Sequence, residues 1–185
     1  MTPVQELFNA LSMVLPTAVL ALNAWAAPQN RFVVILLVGS AMHLPVSFTY
    51  HLSAAFGRYT DRLDNDMRRL DQSMQHVTGT IFSFALSGSV SYMVLNLAFN
   101  LRGLYLLWHP RTSNDGKRWV PVLGCVLMST APMLWRRDFA NYALAAASMA
   151  LGGVAFLSTG WGHTIFHLAL MSYAQALANS VMVYR

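Results

Sequence analysis

The chain predicts an all-α fold, a single bundle of seven transmembrane helices occupying residues 1–185. Three observations carry that reading. The first is composition: 56% of the residues are hydrophobic and only 10% are charged, against about 25% charged in a soluble domain. The second is spacing, because seven apolar runs follow one another with short polar breaks, each close to the ~20 residues a helix needs to cross a bilayer. The third is tryptophan: Trp25, Trp108, Trp119, Trp135 and Trp161 all fall within a few residues of a predicted helix end, where interfacial aromatic belts form. Seven such helices use roughly 140 residues and leave no room for a second domain.

The runs can be taken in order. The first, 7–27, ends at the turn-forming Ala26-Ala27-Pro28-Gln29-Asn30. Glu6 near its start, without a basic flank, argues for a retained helix and against a cleaved signal peptide. The second, 32–55, closes on Ser47-Phe48-Thr49-Tyr50-His51. It is followed by the most charged stretch, Arg58 to Arg69, where Arg and Asp alternate as on a solvated interfacial extension. The third, 70–87, is divided from the fourth, 90–108, only by Ser87-Gly88-Ser89. The fourth contains Asn96, Asn100 and Arg102, whose side chain can reach the interface by snorkelling. A polar loop, 110–118, precedes the fifth run, 119–135. Arg136-Arg137-Asp138 then separates it from the sixth, 139–159, where Ser148-x-x-x-Gly152 permits close helix packing. The seventh run covers 162–183.

The net charge of +5 lies in Arg and Lys clustered between the runs, a pattern suited to anionic lipid headgroups rather than nucleic acid. Arg58, Arg62, Arg68, Arg69, Arg102, Arg111, Lys117 and Arg118 fall on the side that holds the N-terminus, leaving only Arg31, Arg136, Arg137 and Arg185 opposite. This asymmetry predicts a cytoplasmic N-terminus and an outward C-terminus. The single cysteine, Cys125, excludes an intrachain disulfide.

The candidate chemistry sits on runs two, three and seven. His163 and His167 are four residues apart and share one helix face. Imidazole in an apolar helix is costly unless it is paired or bound to a metal. With seven antiparallel runs, the start of the seventh, the end of the second and the start of the third lie at one depth. His51, His163, His167 and Asp71 are therefore expected together. Three neutral imidazoles and a water make a tetrahedral zinc site with one open position. Asp71 is then placed to hold that water and take its proton, and Ser47, one turn before His51, faces the same way. The residues also allow plainer readings. His51 can bond a carbonyl, Asp71 can pair with Arg68 or Arg69, and the stripe Ser40, His43, Ser47, His51 can simply bond neighbouring helices. A transporter using His43 and His76 as proton relays is a further alternative.

Ser47-x-x-x-His51, Arg69-Leu70-Asp71-Gln72-Ser73 with Gly79-Thr80, and Gly162-His163-x-x-Phe166-His167 resemble the hemolysin III and progestin/adipoQ receptor family. That family belongs with the alkaline ceramidases in the CREST superfamily of seven-helix membrane proteins. The resemblance runs the length of the chain and is specific at those three points. It implies zinc held by His51, His163 and His167, a zinc-bound water activated by Asp71, and Ser47 beside the metal. It further implies hydrolysis of a lipid amide or ester, with ceramide as the model substrate and membrane lipids as the partners. The alternative within the same family is a receptor or membrane-perturbing protein with a structural metal and no turnover. The sequence departs from hemolysin III proteins after Gly79-Thr80, reading Ile-Phe-Ser-Phe where they usually show Tyr-Thr-Pro. Alkaline ceramidases place their aspartate closer to the helix-two histidine, which keeps Asp61 and Asp64 as alternatives to Asp71.

Overall fold

A computed structural model describes residues 1–59, 65–109, 119–158 and 160–183. Regular structure among them is helical throughout, in the order α1 (Pro3–Ser12), α2 (Val14–Ala26), α3 (Arg31–Ala55), α4 (Asp66–Ser87), α5 (Val90–Trp108), α6 (Trp119–Trp135), α7 (Phe139–Leu157) and α8 (Gly162–Met182). The first predicted run is thus two helices, and the break at Met13 has a covalent cause. Pro16 has no N–H to return to the Ser12 carbonyl, and its ring crowds that oxygen. Pro45 in α3 and Pro132 in α6 are carried inside their helices.

Four helix starts are fixed locally by side-chain caps. At α1 the Gln5 N–H donates to Thr2 Oγ1 at 3.3 Å and the Thr2 N–H to Gln5 Oε1 at 2.8 Å, a reciprocal cap with Pro3 in the first turn. Asn30, Asn65 and Ser89 accept backbone N–H groups at the starts of α3, α4 and α5. The Asn65 cap starts α4 one turn earlier than hydropathy predicts. Asp66, Arg68 and Arg69, read from the sequence as an extension, therefore belong to that helix. At its other end Gly88 takes φ 65°, a left-handed stop that glycine adopts without strain.

Four stretches are long and apolar enough to cross a membrane: Pro3–Ala26, Arg31–Ala55, Val90–Trp108 and Phe139–Leu157. Val120–Trp135 is apolar but shorter. Helices α4 and α8 are not among these stretches because they carry inward polar residues. Asp71, Ser73, His76, Thr78, Thr80 and Ser83 on α4 are buried, as are His167 and Ser180 on α8. Large apolar side chains point outward instead, among them Leu22, Leu95, Leu151, Val154 and Leu157. Polar groups inside and bulky apolar groups outside is the inverse of a water-soluble domain. Trp25, Trp108, Trp135 and Trp161 sit exposed at helix ends.

Helix α4 packs on α3, α5 and α6, while α8 packs on α7 and α2 and touches α1 and α3. The alternating direction of the helices gathers the start of α1, the end of α3 and the starts of α4 and α8 at one end of the bundle. The opposite half is an apolar plug in which Leu20, Leu36, Leu86, Met133, Leu177 and Val181 are fully buried.

The α7–α8 hairpin depends on close approach. A Cβ at Gly152 would lie 2.9 Å from Phe166 Cδ2, as the small-residue spacing predicts. Gly162 is tighter still, since a Cβ there would collide with the Ala155 carbonyl oxygen and the Ser158 hydroxyl. The Ala155 oxygen is backbone and has no rotamer by which to move aside. Gly162→Ala is expected to destabilise the detergent-solubilised protein by about 1–3 kcal/mol, the usual range for overpacking. Thermal unfolding followed by circular dichroism measures it, and an unchanged midpoint would contradict the close approach.

Candidate metal centre

The end of the bundle where α1, α3, α4 and α8 meet contains three imidazoles in a triangle. Ring centroids are 4.7 Å apart for His51–His163, 4.6 Å for His163–His167 and 5.4 Å for His51–His167. One ligand-capable nitrogen from each lies within 4.8 Å of the other two, close enough to bind a single metal ion. The four-residue spacing on α8 stacks two of them on one face. The antiparallel return of α3 supplies the third.

Their hydrogen bonds determine which nitrogen is available. His51 Nδ1 lies 2.8 Å from Glu6 Oε2, and an ionised carboxylate can only accept, so Nδ1 carries the proton. His51 Nε2 is then a bare lone pair, buried and without a hydrogen-bond partner among the described residues. His167 Nδ1 donates to the Asn9 carbonyl at 3.0 Å, which likewise leaves Nε2 as the acceptor nitrogen. Ser12 Oγ donates to that same carbonyl at 3.0 Å and stands 2.9 Å from His167 Nδ1. A hydrogen bond that fixes ring orientation and tautomer from behind is the usual support of a metal-binding histidine. An orphaned imidazole nitrogen in so buried a place is costly on its own account. The donor set therefore fits a metal that accepts neutral imidazole.

Glu6, Asn9 and Ser12 are the residues that sequence reading missed. They are spaced three apart on one face of α1 and all are buried. Asn9 ties the helix further, accepting from the Thr164 hydroxyl at 2.6 Å through Oδ1. The signal lay in the sequence, since Glu6 is the only glutamate in the chain and the only acidic residue before position 61.

Asp71 and Ser47 meet as a second group beside the histidines. Asp71 is 8% exposed, and its Oδ1 is 3.0 Å from His43 Nε2. The Ser47 hydroxyl also hydrogen-bonds Asp71. Arg69, one of the partners considered for Asp71, has its Nη1 3.4 Å from Asp66 Oδ1. The polar stripe on α3 is thus shared among three helices. Ser40 meets Thr17 of α2 at 2.7 Å, His43 and Ser47 meet α4, and His51 meets α1. His76 lies elsewhere, with Nδ1 donating to Asn100 Oδ1 at 2.8 Å. Asp61 and Asp64 lie outside the described residues.

A cavity of about 480 Å³ connects these groups to the middle of the bundle. Ser47, Asp71, His163 and His167 line its polar end, and Leu20, Phe82, Met149 and Leu170 its apolar arm. Its size is that of a small-molecule site. Phe156 closes over His163, with ring centroids 4.9 Å apart.

Because Glu6 orients His51, Glu6→Gln is expected to weaken metal binding by about 10–100-fold. Competition with a chromogenic chelator measures this, and an unchanged affinity would separate Glu6 from the centre. No family model, curated protein or solved structure matches the chain.

Proposed function

We propose that the chain is an integral membrane, zinc-dependent hydrolase that cleaves the amide or ester bond of a lipid, ceramide-like in kind. The observation that carries this reading is the pair of fixed tautomers on His51 and His167. Each leaves an unprotonated Nε2 on a ring that has a nitrogen within 4.8 Å of one on His163, beside an aspartate that lines a mostly apolar cavity. The resemblance of the α3, α4 and α8 motifs to the hemolysin III and progestin/adipoQ receptor family adds support.

His51, His163 and His167 would hold the ion, and zinc suits three neutral imidazoles with a position to spare. When bound, zinc supplies a Lewis acid that lowers the pKa of water to about 7. The remaining steps belong to Asp71 and Ser47. Asp71 takes one proton from a water as its oxygen bonds to the substrate carbonyl carbon. The C–N or C–O bond then breaks, and Asp71 returns the proton to the leaving amine or alcohol oxygen. Ser47, bonded to Asp71, holds the carboxylate towards the cavity. The apolar arm receives the acyl chain.

Seven spans follow from counting α1 and α2 as one kinked crossing. The helices with fewer apolar residues, α4 and α8, are then interior helices, with Asp71, Gln75 and Thr78 of α4 and His163 and His167 of α8 facing the cavity. With the N-terminus cytoplasmic, the site opens towards the cytoplasmic leaflet.

Purified protein is expected to carry close to one zinc per chain and to release fatty acid from one member of a panel of fatty-amide and ester lipids. Asp71→Asn is expected to keep the zinc and lose about 10²–10⁴-fold in kcat. Zinc without turnover on any lipid would instead favour a receptor or membrane-perturbing protein with a structural metal. A reporter fused after Arg185 is expected on the outside, and a cytosolic signal would reverse the orientation.

A further inference from the structure

His43 is the one histidine that contacts the proposed proton-carrying group without belonging to the metal triangle. Its side chain is 14% exposed, its Nε2 sits 3.0 Å from Asp71 Oδ1, and it lines the same cavity. It stands eight residues before His51 on α3, with Ser47 midway, so His43 and Ser47 approach Asp71 from one helix face. We propose that His43 is a positioning residue: by donating Nε2–H to Oδ1 it fixes the Asp71 carboxylate for the proton transfer. The inference rests on the hydrolase reading above.

Geometry favours positioning over a merely structural bond for two reasons. A carboxylate on a helix has several staggered side-chain wells, and two donors from a facing helix select one of them. The His43–Asp71 contact also joins α3 to α4 at the polar end of the cavity, where an aspartate turned away would leave the histidine triangle without a proton acceptor. A displacement of about 1 Å in such a group is enough to cost on the order of 100-fold in rate.

Three variants test this: His43→Phe removes the donor and keeps a ring, His43→Gln keeps an N–H donor, and Asp71→Asn removes the acceptor. The probe is dodecanoyl hydroxamate, whose proton the positioned carboxylate accepts on binding to the zinc-loaded protein, and calorimetry reads its Kd. His43→Phe and Asp71→Asn are each expected to weaken it by tenfold or more, while His43→Gln stays within about threefold of wild type. The double variant is expected to be no weaker than Asp71→Asn alone, because His43 acts through Asp71. Zinc affinity, measured by chelator competition, is expected to be unchanged in all of them, because the His43–Asp71 bond does not orient a histidine of the triangle in the way the Glu6 bond does. Wild-type affinity for the hydroxamate in His43→Phe overturns this inference alone, as does a parallel loss of zinc affinity. A wild-type protein that takes up zinc but not the hydroxamate overturns the hydrolase reading, and this inference with it.

Discussion

The contact between Glu6 and His51 is the interaction on which the rest of the site depends. A carboxylate with no solvent exposure is among the costliest groups a bundle interior can hold, and it persists only when paired and hydrogen-bonded. Here the pairing is with an imidazole whose opposite nitrogen is buried without a hydrogen-bond partner among the described residues, on a ring that stands beside two other imidazoles. The carboxylate sets the tautomer and the tautomer exposes the lone pair. That lone pair joins α3 to the two histidines of α8 as one candidate donor set. Asn9 and Ser12 repeat the device for His167, so α1 supports two corners of the triangle without contributing a ligand.

The bundle is divided along its length in accordance with this. The half containing the ends of α2, α4 and α8 is filled with Leu, Val, Ala and Met and carries the packing. The half containing the starts of α1, α4 and α8 holds most of the polar groups and the cavity mouth. Packing rigidity in one half lets the other carry unfavourable polar burial, and the cavity runs from the second into the first. The lipid proposed above as substrate, polar at one end and apolar along its length, is the kind of molecule that gradient suits.

Much of the helix layout was legible from the sequence because its signals are local. Apolar runs, prolines and capping residues act within a few positions, and the observed starts and stops fall close to those expected. The pairing of His163 with His167 was legible for the same reason, and its meeting with His51 followed from helix direction alone. What could not be read was the choice of partner. Ser40, His43, Ser47 and His51 look like one stripe, yet each small rotation along α3 presents them to a different neighbour. Asp71 could be placed near the site, but its bond to His43, rather than to one of the adjacent arginines, depends on how α3 sits against α4. Glu6 was visible and was read only as evidence about a signal peptide, because nothing in its own neighbourhood shows that α1 folds back onto α3 and α8. The break at Met13 was equally available from Pro16, and the strength of the apolar run obscured it.

The tie between Asn9 and His167 spans 158 positions of sequence and joins the first helix to the last. Bringing such distant segments together carries a loop-closure entropy that grows only slowly with length, so the cost is set mainly by ordering the two helices. The histidine triangle is therefore incomplete until α8 is in place, however well α1 to α7 have formed. Only with α8 packed are all three imidazoles together, so capture of a metal by the full set would be a property of the finished molecule rather than of any fragment of it.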